Sequence, residues 1–256
     1  ARSGRMCAGS YVPVSGAKIV ERVLAPLDPQ HALLIGRIRS PDQQTLRLVL
    51  RRVSGLPNPL YFPGHSSHGF DRFVDLFCQL RDAGHLDVAA SKDGSFALLI
   101  HDYEEEDRDH VTELLSIVGV SARPADRRSL TIPLHFTVGS PRTEGIDFET
   151  ASALEIMQAA AAGVEMPHQP NALPSAADAP APAALPTRSF LTIRRSTSRP
   201  QGATVAVPHG GAWYYIDAAD VRSKRGFVFL RTIINIRIDD SAGGAGVPTL
   251  TVPVSR

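Results

Sequence analysis

The sequence predicts an α+β fold: a ferredoxin-like β-α-β-β-α-β domain followed by a helix, a Pro/Ala linker and a small α+β C-terminal module. Three observations carry this expectation. Apolar residues alternate with period two in "TLRLVLRRV" (45–53) and "SLTIPLHFTV" (129–138). Between them lie two stretches of helical spacing, one ending near Gly84 and the other at Gly119. Further on, "QPNALPSAADAPAPAALPT" (169–187) is a low-complexity run too poor in large apolar side chains to bury a core.

In chain order, residues 1–43 are rich in Pro, Gly and Ser and read as an extended N-terminal arm, with a short strand at "HALLIGRI" (31–38). The domain proper spans 44–168. Its first strand sets Leu46, Leu48 and Leu50 against Arg47, Val49 and Arg51. Phe70, Phe73, Val74, Phe77 and Leu80 then recur at helical spacing, with Ser66 or Ser67 available as the cap. "HLDVAAS" and "SFALLIHD" form a hairpin across Lys92-Asp93-Gly94, where Gly supplies a positive φ at little cost. The second helix opens on acidic residues, which its N-terminal dipole favours, and turns Val111, Leu114, Leu115 and Val118 to one side. Pro133 cannot donate to a ladder and places the fourth strand at a sheet edge. "DFETASALEIMQAAAAGVEMP" reads as a further helix with Leu154, Met157, Ala161 and Val164 on one side.

Beyond the 169–187 linker, the 188–256 module comprises strands at "SFLTIRR", "ATVAV" and "AWYYI", a helix over 217–236 with Asp217 as cap, and a final strand at "PTLTVPV". The last two of the three opening strands form a hairpin through Pro208-His209-Gly210-Gly211.

Composition bounds function. Among 256 residues, 43% are apolar and 21% charged, and no segment approaches the roughly 18 consecutive apolar residues that span a bilayer. Two cysteines, Cys7 and Cys78, exclude a disulfide framework or a four-thiolate metal site within this chain. The net charge of +1 conceals segmentation: Lys and Arg outnumber Asp and Glu nine to three over 1–69 and ten to four over 188–256, whereas 70–113 carries four against twelve. Such segmentation orients partners.

Catalytic signatures are thin. "GHSSHG" (64–69) places His65 and His68 three apart, a weak metal pair without a third donor, and it lacks the second glycine of a nucleophile elbow. "HDYEEEDRDH" (101–110) lacks the glycine and oxygen-donor spacing of a calcium loop and reads as a solvated helix start. No glycine-rich phosphate loop occurs. An RNA-recognition sheet stacks bases on outward aromatics. The outward positions expected here, Arg47, Val49, Arg51, Ala97 and Leu99, hold none, so nucleic acid is not the favoured partner. Val49, Ala97, Leu99 and Pro133 instead give that face an apolar tint that calls for a cover. Trp213 and Tyr215 share one side of a strand, either as packed residues with polar tips or as a contact surface.

"ASALEIMQAAAAGVEMP", "RSFLTIRRSTSRP" and "AWYYIDAADVRSKRGFVFLRTIINIRI" together resemble a family of uncharacterised bacterial proteins. In these, a helix ending in Gly-Val-Glu-hydrophobic-Pro precedes a Trp-Tyr-Ile-Asp-x-x-Asp-x-x-Ser-Lys segment. The resemblance covers 147–256. It implies no activity, and because members are often exported or lipid-anchored it implies an envelope location. Ala151-Ser152 stands where the family has Arg-Ser. Ala1 is a start that signal-peptide cleavage leaves, although Gly4-Arg5-Met6 before Cys7 is not a lipoprotein context.

The expectation is therefore a non-catalytic accessory or scaffolding subunit of a larger bacterial assembly, without cofactor or small-molecule substrate. It is exported to the periplasm or cell envelope, where association is peripheral; a cytoplasmic location stays open. Contacts with other protein subunits are assigned to Trp213, Tyr215, Arg222, Lys224 and Arg225. Two alternatives stand beside it: a metal-dependent or hydrolytic enzyme using His65 and His68, and non-specific nucleic-acid binding through the basic C-terminal module.

Overall fold

A computed structural model describes residues 16–28, 43–91, 93–121, 129–136, 144–166 and 190–242. The expected strand at 31–38, the 169–187 linker and the final strand at 248–254 lie outside these residues.

The described chain is α+β. Its elements are α1 (Gly16–Leu24), α2 (Gln43–Val49), β1 (Leu50–Val53), β2 (Leu56–Pro57), α3 (His68–Asp82), β3 (Leu86–Ala90), β4 (Phe96–His101), α4 (Glu105–Ile117), β5 (Ser129–Phe136), β6 (Ile146–Thr150), α5 (Ala153–Ala161), β7 (Arg194–Ser196), β8 (Ala203–His209), β9 (Ala212–Asp217) and α6 (Val221–Ala242). The N-terminal arm is thus helical over Gly16–Leu24, where an extended arm was expected.

The strand-helix-strand-strand-helix-strand succession is present as β1, α3, β3, β4, α4 and β5, but its spatial order is not ferredoxin-like. Six strands lie in the order β2-β1-β6-β5-β4-β3. A ferredoxin-like sheet would put the fourth strand at the edge. Here β5 lies between β4, to which it is antiparallel, and β6, to which it is parallel. The change follows from β6, which the sequence reading absorbed into a helix. Ile146 and Phe148 are buried, so Ile146–Thr150 inserts as a strand between β5 and β1. Pro133 is consequently not at an edge of the sheet, yet it keeps its physical logic: pairing with β6 begins one residue later, at Leu134, so the missing donor falls where no partner is registered.

The first strand also differs. Residues 43–49 are helical and only Leu50–Val53 is extended. The junction puts Leu48 and Val49 into one core and Leu50 and Val53 into another, which a continuous strand with alternating faces does not do. Its carbonyls are satisfied locally: the buried Asn58 amide donates to Arg47 O at 2.6 Å and Leu50 O at 2.7 Å, and the Tyr61 hydroxyl donates to Leu48 O. Burial holds the Tyr61 phenol well above its ordinary pKa.

α3 and α4 cover one face of the six-stranded sheet. Phe70, Phe73, Leu76, Leu80, Val111, Leu114 and Leu115 meet Leu98, Ile100, Ile132, Leu134 and Ile146 in the first core. The helical spacing read for both elements holds, and Gly84 and Gly119 take positive φ at their ends. Ser67 stands at the N-cap of α3, but its side chain makes no capping bond.

A second core joins distant segments. Leu27, Leu48, Val49, Ala151, Ala153, Ile156, Phe190, Leu191, Ile216 and Ile233 are buried together. α5, assigned from the sequence to the first domain, therefore shares its core with the C-terminal elements, and its buried positions are Ala153, Ile156 and Ala160. Its start is a capping box: Ser152 Oγ accepts from Glu155 N while the Glu155 carboxylate accepts from Ser152 N. The N-terminal segment is stitched in by Leu27 N donating to Ala151 O at 3.1 Å and by Thr150 Oγ1 donating to Leu27 O at 2.6 Å. The buried Arg237 guanidinium donates to Ala25 O at 2.6 Å and to Pro26 O.

Candidate interaction surface

The segment "WYYIDAADVRSK" builds a strand, a turn and a helix start. β9 is the central strand of a three-stranded antiparallel sheet, β7-β9-β8. Gly210 and Gly211, at φ 56° and 74°, close the β8–β9 hairpin as a two-residue turn of the primed type, as the sequence indicated. The expected cap residue is displaced by one motif step. Asp217 Oδ1 accepts from Ala219 N in an Asx turn, whereas Asp220 sits at the N-cap and accepts from Ser223 N at 3.0 Å and from Ser223 Oγ at 2.6 Å. These bonds from Ser223 hold the Asp220 carboxyl below its ordinary range.

Ser223 is buried and also accepts from Thr192 N at 2.8 Å, fixing α6 to the strand segment that enters β7. One turn on, a Cβ at Gly226 would stand 2.7 Å from Phe190 O, so only glycine permits this close crossing. The other half of the resemblance meets the same place. Ile193 N donates to Gly163 O, Glu165 N donates to Ile193 O, both at 2.9 Å, and the Glu165 carboxylate accepts from Arg195 N. Gly163-Val164-Glu165 and Asp220-x-x-Ser223 thus fasten one stretch of chain from both sides.

The five residues assigned to protein contacts divide. Arg222 Nε donates to Gln44 Oε1 at 2.8 Å and joins α6 to α2, and Lys224 Nζ donates to Ala218 O at 2.7 Å across the helix start. Arg225 is exposed. Trp213 and Tyr215 share one face of the second sheet, opposite the face whose Ala212 and Ile216 are buried. Register places Arg194 beside Tyr215 and Ser196 beside Trp213 on the β7 side, and Ala206 and Pro208 beside them on the β8 side. The Arg199 guanidinium lies 5.6 Å from the centre of a Trp213 ring, and Arg194 lies 3.8 Å from Asp217. Alternation exposed the Trp-Tyr pairing in the sequence; Arg194 beside it follows from register, and Arg199 from its place over the Trp213 ring.

Among the described residues, no group of three or more His, Cys, Asp or Glu side chains is placed to hold a metal ion. His65 stacks edge-on against Phe62 with centroids 6.2 Å apart, and His68 begins α3. The acidic stretch at 101–110 is distributed over separate partners. Asp107 meets His85 at 3.2 Å, whereas His101 sets one ring nitrogen 3.0 Å from Asp87 and the other 3.1 Å from Asp102. A ring with carboxylates at both nitrogens donates to both only as imidazolium. The bonds to Asp87 first and Asp102 second raise the His101 pKa above 6.5.

The outer face of the six-stranded sheet resolves the expectation of an apolar tint. Val49 is not on it, being buried in the second core. Ala89, Ala97 and Pro133 form one cross-strand row, and Asp87, Leu99 and Thr131 the next. Neither Ala97 nor Leu99 belongs to either hydrophobic core. No described helix is long and apolar enough to cross a membrane.

Comparison with protein-family models, curated proteins and solved structures gives no match.

Proposed function

We propose that the chain is a non-catalytic accessory or scaffolding subunit of a larger bacterial assembly, exported to the periplasm or envelope and acting through protein-protein contacts. One observation carries the reading: among the described residues, the helices of the first core cover one face of the six-stranded sheet, and the other aligns Ala89, Ala97 and Pro133 beside Leu99. The resemblance motifs are consistent with it, because their Asp, Ser, Lys and Glu side chains are used to fasten α6, β7 and α5.

A charge placed at the centre of this face tests the reading. Native purification followed by mass spectrometry should recover a stoichiometric partner with the parent chain, and Leu99→Lys should lower that recovery about tenfold or more. An unchanged partner set in the variant removes the assignment. Stoichiometric zinc or manganese that disappears in a His65→Ala/His68→Ala variant would favour the enzyme reading instead.

A further inference from the structure

We propose that β3, one edge of the six-stranded sheet, pairs with β3 of a second copy of this chain and joins two sheets into one across a two-fold axis. The inference rests on the reading of the chain as one that acts through protein contacts, but it uses the edge of the sheet, whereas that reading uses its outer face.

The two sheets leave four edges, β2 and β3 on the larger and β7 and β8 on the smaller. An edge strand offers unpaired N–H and C=O groups to any extended chain, and folds blunt it with short length, proline, bulges or cations. Three of the edges are blunted in this way. β2 has two residues and ends on Pro57. β7 has three, of which Arg194 and Arg195 are cationic. β8 breaks register between Ala203 and Val205 and carries Pro208. β3 has none of these devices: its five residues, Leu86–Ala90, pair with β4 in unbroken register and include neither proline nor a cation.

Parity fixes what this edge offers. His101 N donates to His85 O at 2.9 Å and Ser91 N donates to Ser95 O at 2.8 Å, so the bonded pairs of the β3–β4 hairpin fall on the odd-numbered residues of its first strand. Bonded and non-bonded pairs alternate in an antiparallel ladder. The backbone groups of Asp87 and Ala89 therefore face β4, and those of Leu86, Val88 and Ala90 face outward. Among the described residues no strand lies beyond them.

Charge then selects the register and the partner. The one charged side chain on this strand is Asp87, 72% exposed, and its carboxylate is already 3.0 Å from His101 Nε2. An added strand has no cation to supply at that point, only a small uncharged residue. Antiparallel pairing with a twin centred on Val88 supplies one. Val88 meets its own counterpart, Leu86 meets Ala90 of the twin, and Asp87 meets Ala89 of the twin on both sides of the axis. All three outward residues are then bonded, and the half-buried Val88 side chains close over one another beside the first core. Pairing centred on Asp87 would instead set two carboxylates face to face, where like charges repel. The contact is isologous, so it closes at two copies.

Sedimentation equilibrium of the full chain tests the pairing. Because one strand pair buries less than a standard interface, the mass should rise from one chain toward two with a midpoint at about 1–100 µM. Over the same range the amides of Leu86, Val88 and Ala90 should become slower to exchange, while those of Asp87 and Ala89 stay protected throughout. Val88→Pro removes an outward donor and no bond to β4, and should leave the chain monomeric at every concentration. Ala89→Asp sets a carboxylate against Asp87 of the twin and should weaken the dimer about 2- to 30-fold, whereas Ala89→Lys should tighten it. These opposite signs decide the matter if Val88→Pro does not fold.

A parent chain that stays monomeric overturns the proposal, as does a dimer that survives both Val88→Pro and Ala89→Asp unchanged. Protection of the outward amides at every concentration would give the edge to another segment of the same chain and overturn it too. So would a monomeric parent whose co-purified partner is lost in Val88→Pro, which would give the edge to a foreign strand. Recovery of other proteins with the parent chain bears on the outer face and the mass of the purified chain on the edge, so either reading can fail alone.

Discussion

The two cores of this molecule are assembled over different distances along the chain. The first is contiguous: its buried residues run from Leu50 to Phe148, and most lie on α3, α4 and the strands beside them. The second collects Leu27, then Leu48 and Val49, then 151–160, then Phe190 to Ile233. Loop closure costs more as the closed segment lengthens, although only slowly, so the second core calls for fasteners between distant segments. They are present: the Arg237 bonds to Ala25 and Pro26, the Thr150–Leu27 bond, and the Asp220-Ser223-Thr192 chain. Apolar periodicity dominates the first core, whereas the second relies more on polar groups held at crossings between distant segments.

The largest expected effect falls in the first core. Phe73 is fully buried, with ring centres 5.6 Å from Phe77 and 6.0 Å from Phe148. Phe73→Ala should cost about 3–5 kcal/mol. Because β1 continues α2 and β6 leads into α5, both cores share these segments. Thermal unfolding followed by circular dichroism and by Trp213 emission should therefore shift together. A Trp213 midpoint that stays put while the dichroism midpoint falls would show that the two cores unfold separately.

Gly226→Ala probes the second core where its crossing is tightest. The added Cβ would stand 2.7 Å from Phe190 O, so despite the better helix propensity of Ala we expect a loss of about 1–3 kcal/mol. Denaturant titration measures it, and a neutral or stabilising result would mean that the 190–193 segment is not held against α6 as described.

The smallest effect lies at the sheet end and depends on pH. The folded-state pKa of His101 is raised by Asp87 and Asp102, so its contribution is fully present below the ordinary value of 6.5 and fades as pH rises through the folded value. Asp87 and Asp102 are 72% and 88% exposed, so screening keeps the contribution modest. His101→Gln should lower the melting temperature slightly at pH 5 and leave it unchanged at pH 9. A nuclear magnetic resonance titration of His101 should give a midpoint above 6.5, and a midpoint at or below that value would break the assignment.

Legibility in the sequence follows the same contrast. α3, α4, the β3–β4 hairpin and β5 were readable because each shows its own period and its own terminator. Asp93 even fixes the hairpin as its residue type suggests, accepting from Ser95 N at 3.0 Å and from Ser95 Oγ at 2.7 Å. β6 was missed because five residues of "IDFET", buried at four positions, offer no alternation. A Ser152-x-x-Glu155 capping box was available to separate that strand from α5. α2 was misread because alternating Leu and Arg fit a strand as well as two helical turns, and the choice rests on Asn58 and Tyr61 from farther along the chain. At the candidate surface, the Trp213 and Tyr215 pairing was visible, while the hydrogen bonds of Arg222 to Gln44 and of Lys224 to Ala218 were not.

By itself the sequence determined the α+β class, the helices with their glycine ends, the Gly210-Gly211 turn and the side of the strand that Trp213 and Tyr215 share, because these depend on neighbours a few residues apart. Only the tertiary structure decided the strand order, with β6 beside β5, and the meeting of α5 with β7 and α6. The same holds for the placement of Arg194 and Arg199 beside the aromatic pair. These depend on which distant segments exclude water together and on register between strands, and no local periodicity encodes either.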